Sequence, residues 1–537
     1  ASDVYKRQDQ VDSLNSTQIG ALASSTIAGL TTVQAGVLDT DQVGGLTTSL
    51  VRALSSTQLG ALTSNAVTGF STAQVNVITS SQVVGFDTTD IGALTSVQLG
   101  ALTTATVRAL TTSQTVILTS SQAVGLTSAG VLALSSTQVG VLTTDTLNGL
   151  ATSQVSYLTS VQLAGLTTVQ ASALSSTQLG SLNTAAVNGL LTTALAKLSS
   201  DALDGLTTAQ AVAITSAQLA ALTTDQLDTL NSTQVAGFAS SAIAGLTTRQ
   251  AAVIDTDQVS ALTTLQIRAL SSSQLGALVS DSVAALTTAQ VNVLSSTQIV
   301  GLDTTDVGAL TSTQLAALTT ATLRALTTTQ TALLTSVQAA GLTTTEVASL
   351  SSAQIAVLTT DTISGLTSSQ AGAITSTQVA GITTTQIANL SQASALSTLS
   401  VRALSTSQLA ALTTAQVTAL NTNQIRAISS TQIVGLETQD AAVLTSSQIG
   451  ALATSTIAAL TTGAIAVLTT DSLAGFNTTQ LTSFTTTQLG GFDSTQLQAF
   501  TTTALEGFTG TQAAAFNSTQ LLGLSGSQLS ALISGNN

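Results

Sequence analysis

The sequence predicts an all-α solenoid of very short helices, and three observations carry that prediction. An eight-residue phrase, T-[ST]-x-Q-[LIV]-x-[AG]-L, fills 47 octads over 15–390 and 17 more over 397–532. Apolar residues hold positions five and eight; three apart, they share a helix face but fall on opposite faces of a strand. The five-residue step from position eight to the next position five leaves the helix face again. The helix must therefore break at the intervening Ser/Thr pair.

Each octad carries its own start signal. In Leu54-Ser55-Ser56-Thr57-Gln58-Leu59, Ser55 takes the N-cap and Gln58 the third helical position, which makes a capping box. Leu54 and Leu59 bracket it as a hydrophobic staple. A helix of about six residues follows, one and a half turns, then a sharp bend. Isolated helices shorter than ~12–15 residues are marginal in water, so stability must come from stacking. Each buried Leu contributes roughly 1.5–3 kcal/mol to it. The abundance of Thr and Val makes a β-solenoid the alternative, but Leu and Ala are strong helix formers.

A longer period overlies the octad. Glutamine is replaced at Thr26, Ala66, Thr106, Thr146 and Ala186, and Gly holds position seven at Gly45, Gly85, Gly125 and Gly165, all spaced by 40 residues. This supra-repeat predicts a coil of five octads. At a third level, 51–62 returns as 267–278 and 87–96 as 303–312, an offset of 216 residues or 27 octads. Because 27 is not a multiple of five, the coil is expected to be irregular near 183–206.

The repeats divide the chain as follows. Residues 9–390 are octapeptide solenoid, 391–396 a shortened unit, 397–475 solenoid again, and 476–537 a Phe-rich C-terminal end. In that end Phe476, Phe484, Phe492, Phe500, Phe508 and Phe516 replace Leu in successive octads, which predicts a wider core near a terminal cap. Residues 1–8, ASDVYKRQ, break the pattern. They resemble a translated sequencing adapter, the reading of GCG TCA GAT GTG TAT AAG AGA CAG. The resemblance implies that they are not native and that the chain is a fragment from a shotgun, metagenomic library.

Composition excludes most chemistry. The 537 residues include no Cys, His, Pro, Met or Trp, and charged residues make up 6%, against roughly 25% in ordinary soluble domains. Without thiolate or imidazole there is no Cys nucleophile, no disulfide and no His base or ligand. Ser and Thr have no base to activate them, so no enzyme, catalytic residue or cofactor site is expected. A net charge of −14 argues against nucleic acid, whose binding needs clustered Lys and Arg. Mean hydropathy is +0.47, yet Ser/Thr pairs interrupt every apolar run well short of a membrane span.

The weak metal candidates are the acidic pairs Asp39/Asp41, Asp87/Asp90, Asp255/Asp257 and Asp303/Asp306. Oxygen ligands would suit calcium, but no glycine-bearing calcium loop accompanies them. Asp at the N-cap, second or third helical position is explained by capping and the helix dipole. Arg52, Arg108, Arg268, Arg324, Arg402 and Arg426 all occupy position six, spread along the array as a solvated face. Asn15, Asn231, Asn477 and Asn517 match glycosylation acceptors, yet fall on the N-cap slot. Thr at positions one and two would stack into surface ladders, an arrangement resembling ice-binding surfaces.

Over 9–537 the acidic, Cys-free, Ser/Thr-rich, duplicated array resembles in style the repeat regions of large bacterial surface proteins, adhesins among them. That resemblance implies a non-enzymatic stalk, spacer or adhesin-like region, extracellular or on a bacterial cell surface, with protein or surface ligands as partners. It carries no functional residues. The alternatives are a solenoid scaffold for protein–protein interaction and an ice- or surface-binding Thr/Ser array.

Overall fold

A computed structural model describes residues 8–534, and these form two compact units, divided between Ser282 and Val283. Both are built alike. Almost every octad is an α-helix of four to six residues, as in Ser56–Leu59 and Thr48–Ala53, and the described residues contain no strand. The β-solenoid alternative is thereby excluded. Residues 1–7 of the adapter-like segment and residues 535–537 of the C-terminal end lie outside the described residues; residues 8–12 are helical.

The capping grammar is realised residue by residue. Ser55 Oγ accepts from the Gln58 N–H at 3.2 Å, and Gln58 Oε1 accepts from the Ser55 N–H at 2.7 Å. Position eight then turns extended, as at Leu54 with φ −65° and ψ 136°, and the next N-cap follows. Positions five and eight are the core: Leu59 is fully buried, and Leu62 nearly so. No described residue, glycine included, has a positive φ. The left-handed glycine that ends many helices is therefore absent, and the C-terminal carbonyls need another partner.

Within each unit, every helix packs chiefly on the helix three octads away, Ser16–Gly20 on Thr40–Gly45 and Ser96–Ala101 on Ser120–Gly125 in the first, Ser312–Leu315 on Ser336–Gly341 in the second. Side chain to backbone hydrogen bonds between coils span 25 to 31 residues. One coil thus holds between three and four octads, and the expected coil of five is wrong. Gly45, Gly85, Gly125 and Gly165 each lie against the backbone of Ser16, Ser56, Ser96 and Ser136, where an added Cβ would collide. Gly69 and Gly149, outside that series, approach Thr40 and Ser120 in the same way, so the forty-residue period is not the length of a coil.

Through 183–206 the three-octad packing runs on unchanged: Ser160–Leu163 meets Thr184–Val187, and Thr192–Leu195 meets Ser216–Ala221. The shortened unit becomes a 3-10 turn, Ala393–Ala395, that still packs on Ser368–Ala373 and Thr414–Ala419. The six phenylalanines from Phe476 to Phe516 are buried in an edge-to-face series with ring centroids 5.2 to 5.9 Å apart. They are core residues and offer no docking surface of their own.

Candidate functional site

The most elaborate chemistry in the molecule belongs to the position-four glutamine. Besides capping its own helix, Gln58 donates through Nε2 to the carbonyls of Ile27 (3.0 Å), Ala28 (3.3 Å) and Leu30 (2.6 Å), four octads earlier. Gln210 does the same to Leu179 (2.7 Å) and Leu182 (2.8 Å). These carbonyls are the orphaned C-terminal acceptors of a short helix. One side chain thus closes the N-terminus of its own helix and the C-terminus of another on the preceding coil. Among the described residues, no buried side-chain nitrogen or oxygen lacks a partner.

Sequence reasoning found the capping half of this device and missed the donor half. The signal was present. A capping box accepts Glu or Gln alike, yet only Glu346 stands where 42 octads place Gln. A carboxylate supplies the acceptor and cannot supply the N–H. Where a hydroxyl replaces Gln, one tie survives: Thr106 donates to Ile78 at 2.8 Å and Thr322 to Leu294 at 2.9 Å. Thr146 makes the same bond to Leu118. Ala186, Ala194 and Ala202 can make none.

One member of each acidic pair caps a helix. Asp39, Asp87, Asp255 and Asp303 are exposed N-caps whose Oδ1 accepts from the third-position N–H at 2.7 to 2.8 Å. Asp41 and Asp257 lie exposed in the first turn, while Asp90 and Asp306 are buried in the glutamine slot. Among the described residues no group of three or more acidic side chains converges to hold a metal ion. Burial, reinforced by the charge of Asp87, raises the Asp90 pKa to about 6; Asp87 is lowered by hydrogen bonds from the Thr89 hydroxyl and the Asp90 N–H. Asp440 is likewise raised to about 6 by burial and by Glu437.

The four glycosylation-type asparagines are exposed N-caps: Asn15, Asn231, Asn477 and Asn517 each accept from a glutamine N–H at 2.9 to 3.0 Å. Position-one hydroxyls cap, and several position-two hydroxyls donate to a carbonyl 25 residues ahead, as Thr40 does to Asn65 and Ser80 to Ala105. The six position-six arginines are all exposed, and Arg402 and Arg426 line the same groove.

No helix among the described residues is long and apolar enough to cross a membrane. No curated protein matches the sequence. The profile of the ALTTAQ repeat matches residues 51–88, 91–128, 251–288, 283–320, 394–422 and 418–454, so this is a repeat protein, similar to that repeat over less than half of its length.

Proposed function

We propose that the chain is a non-enzymatic structural array of a larger bacterial protein, working outside the cell as a stalk, spacer or adhesin-like region. The observation that carries the reading is where the polar chemistry is spent. Position one caps its own helix, and position four caps it and ties it to the octad four earlier. Each added octad finds its partners within the array, so length can grow without a new core. The absence of cysteine and histidine and the sparse charge suit a region selected for extent rather than turnover. The resemblance to surface-protein repeats supplies the location.

Recovery of the gene on both sides of this segment tests the reading. A secretion signal or a surface-anchoring domain in the same reading frame is the expected result. A flanking catalytic or signalling domain of a cytoplasmic protein would overturn it.

A further inference from the structure

The acidic amino acids are unevenly placed. The chain carries 24 Asp and Glu against 10 Lys and Arg, yet residues 362–436, 75 in a row, contain no acidic residue. Arg402 and Arg426 are the only charged residues in that stretch. They occupy the same position of Thr398–Ala403 and Thr422–Ala427, two helices that pack directly on each other. Helices in contact have axes about 8–10 Å apart, so equivalent positions on them are neighbours, within reach of each other's field at a Debye length of about 8 Å at physiological salt. Elsewhere position six pairs differently: Arg52 stacks on the octad of Asn76, Arg108 on that of Leu132, and Arg324 on that of Ala348.

The two arginines line one groove of about 400 Å³ with Thr398, Ser430, Ser455 and the exposed Leu399. No acidic side chain lines it. Neither guanidinium has a hydrogen-bond or ion-pair partner among the described residues. Two like charges on neighbouring helices without a counter-charge, in a protein of net charge −14, attract an anion brought from outside. Guanidinium forks bind planar or tetrahedral oxyanions through paired N–H donors, and the neighbouring hydroxyls match a polyhydroxylated ligand.

We propose that this groove binds an acidic oligosaccharide, its carboxylate or sulfate held between Arg402 and Arg426 and its hydroxyls by Thr398, Ser430 and Ser455. The inference goes beyond the spacer reading and does not depend on where the protein works.

The test is calorimetric titration of the full chain at low salt with four probes: a uronic-acid tetrasaccharide, a sulfated tetrasaccharide, a neutral glucose tetrasaccharide and an oligothymidylate. Binding of one or both acidic sugars, weakened by added salt and absent for the neutral sugar, is expected. R402Q/R426Q should weaken it by about tenfold or more. R402K/R426K should restore part of the loss, and R324Q should change nothing. Both arginines are exposed, and unchanged circular dichroism would establish that the variants fold. The proposal falls if neither acidic sugar binds, if R402Q/R426Q binds as well as the parent, or if the oligothymidylate binds as tightly through the same arginines.

Discussion

Octads 183–206 and octads 207–230 are built on the same plan and differ systematically at position four. Both form three short helices, Thr184–Val187, Thr192–Leu195 and Ser200–Leu203 in the first, Thr208–Ala213, Ser216–Ala221 and Thr224–Asp228 in the second. Both bury positions five and eight, as at Leu195, Leu198, Leu219 and Leu222. The second set carries Gln210, Gln218 and Gln226, each tied to carbonyls four octads earlier. The first carries Ala186, Ala194 and Ala202, and Leu191 stands at an N-cap with no side-chain bond at all. The helices Thr152–Val155, Ser160–Leu163 and Thr168–Ser172 therefore receive no glutamine from the next coil. The coil thus forms there without glutamines of its own, although Gln218, Gln226 and Gln234 still tie these octads to the following coil. The glutamines add a lock between coils, and 183–206 is a seam where three successive octads lack it, whereas Ala66 and Ala242 interrupt it singly.

The largest effect should come from the part the two regions share. Leu198→Ala and Leu222→Ala remove equivalent core side chains, and each should cost about 2–5 kcal/mol, read by local hydrogen exchange because a repeat array opens piecemeal. A large difference between them would mean that stacking within the seam is not equivalent to stacking beyond it.

Removing a tie comes next. Gln210→Ala leaves the carbonyls of Leu179 and Leu182 without their donor and should cost about 2 kcal/mol. Gln210→Glu retains the acceptor for the Thr207 N–H, as Glu346 does for Thr343 (2.6 Å), but turns a carboxylate toward carbonyl oxygens. It should cost more than the alanine at pH 7 and less when the carboxyl is protonated. Equal cost for both variants at every pH would show that only the capping half of the glutamine matters.

The natural carboxylates in the glutamine slot sharpen the same point through pH. Asp90 and Asp440 have folded-state pKa values of about 6, raised above the ordinary 3.8. The folded chain then holds these protons more tightly than the unfolded one, so stability rises with acid. That contribution is complete below pH 4, is lost as pH climbs through 6, and changes little beyond. Asp90→Asn, which retains an oxygen for the Asp87 N–H, should raise local stability at pH 7 and flatten its share of the pH 4–6 slope. An unchanged slope in the Asp90→Asn/Asp440→Asn double variant would refute this account.

The smallest expected effect is a gain. Ala194→Gln should reach the carbonyls of Leu163 and Leu166, across the same 31- and 28-residue spans that Gln210 bridges. The helix Ser160–Leu163 would then gain the tie it lacks, and its local opening should slow by a free energy of about 1 kcal/mol. Unchanged exchange at the amides of this helix would show that the seam has no room for the longer side chain.

Much of this was legible in the sequence, and what was not has a physical reason. The octad, the capping box at Ser55 and Gln58, and the core roles of Leu59 and Leu62 follow from spacing within eight residues, where local geometry decides. The coil length did not follow. Gly45, Gly85, Gly125 and Gly165 sit at close approaches between neighbouring coils, as Gly69 and Gly189 outside that series also do, and a period of contacts need not be a period of turns. The pairing of Arg402 with Arg426 was hidden for the same reason: a separation of 24 residues means adjacency only once the three-octad step is known. The tie made by glutamine could have been inferred from the scarcity of Glu at position four.

The position-four glutamine locks one coil to the next, and hydrogen exchange read by mass spectrometry tests this most directly. Amides of 151–206 should exchange at least about tenfold faster than those of 207–262, the ratio equivalent to roughly 1.4 kcal/mol of opening free energy. Ala186→Gln/Ala194→Gln/Ala202→Gln should close most of that gap. Equal exchange in the two regions of the parent chain, or a gap that the triple variant leaves untouched, would contradict the account.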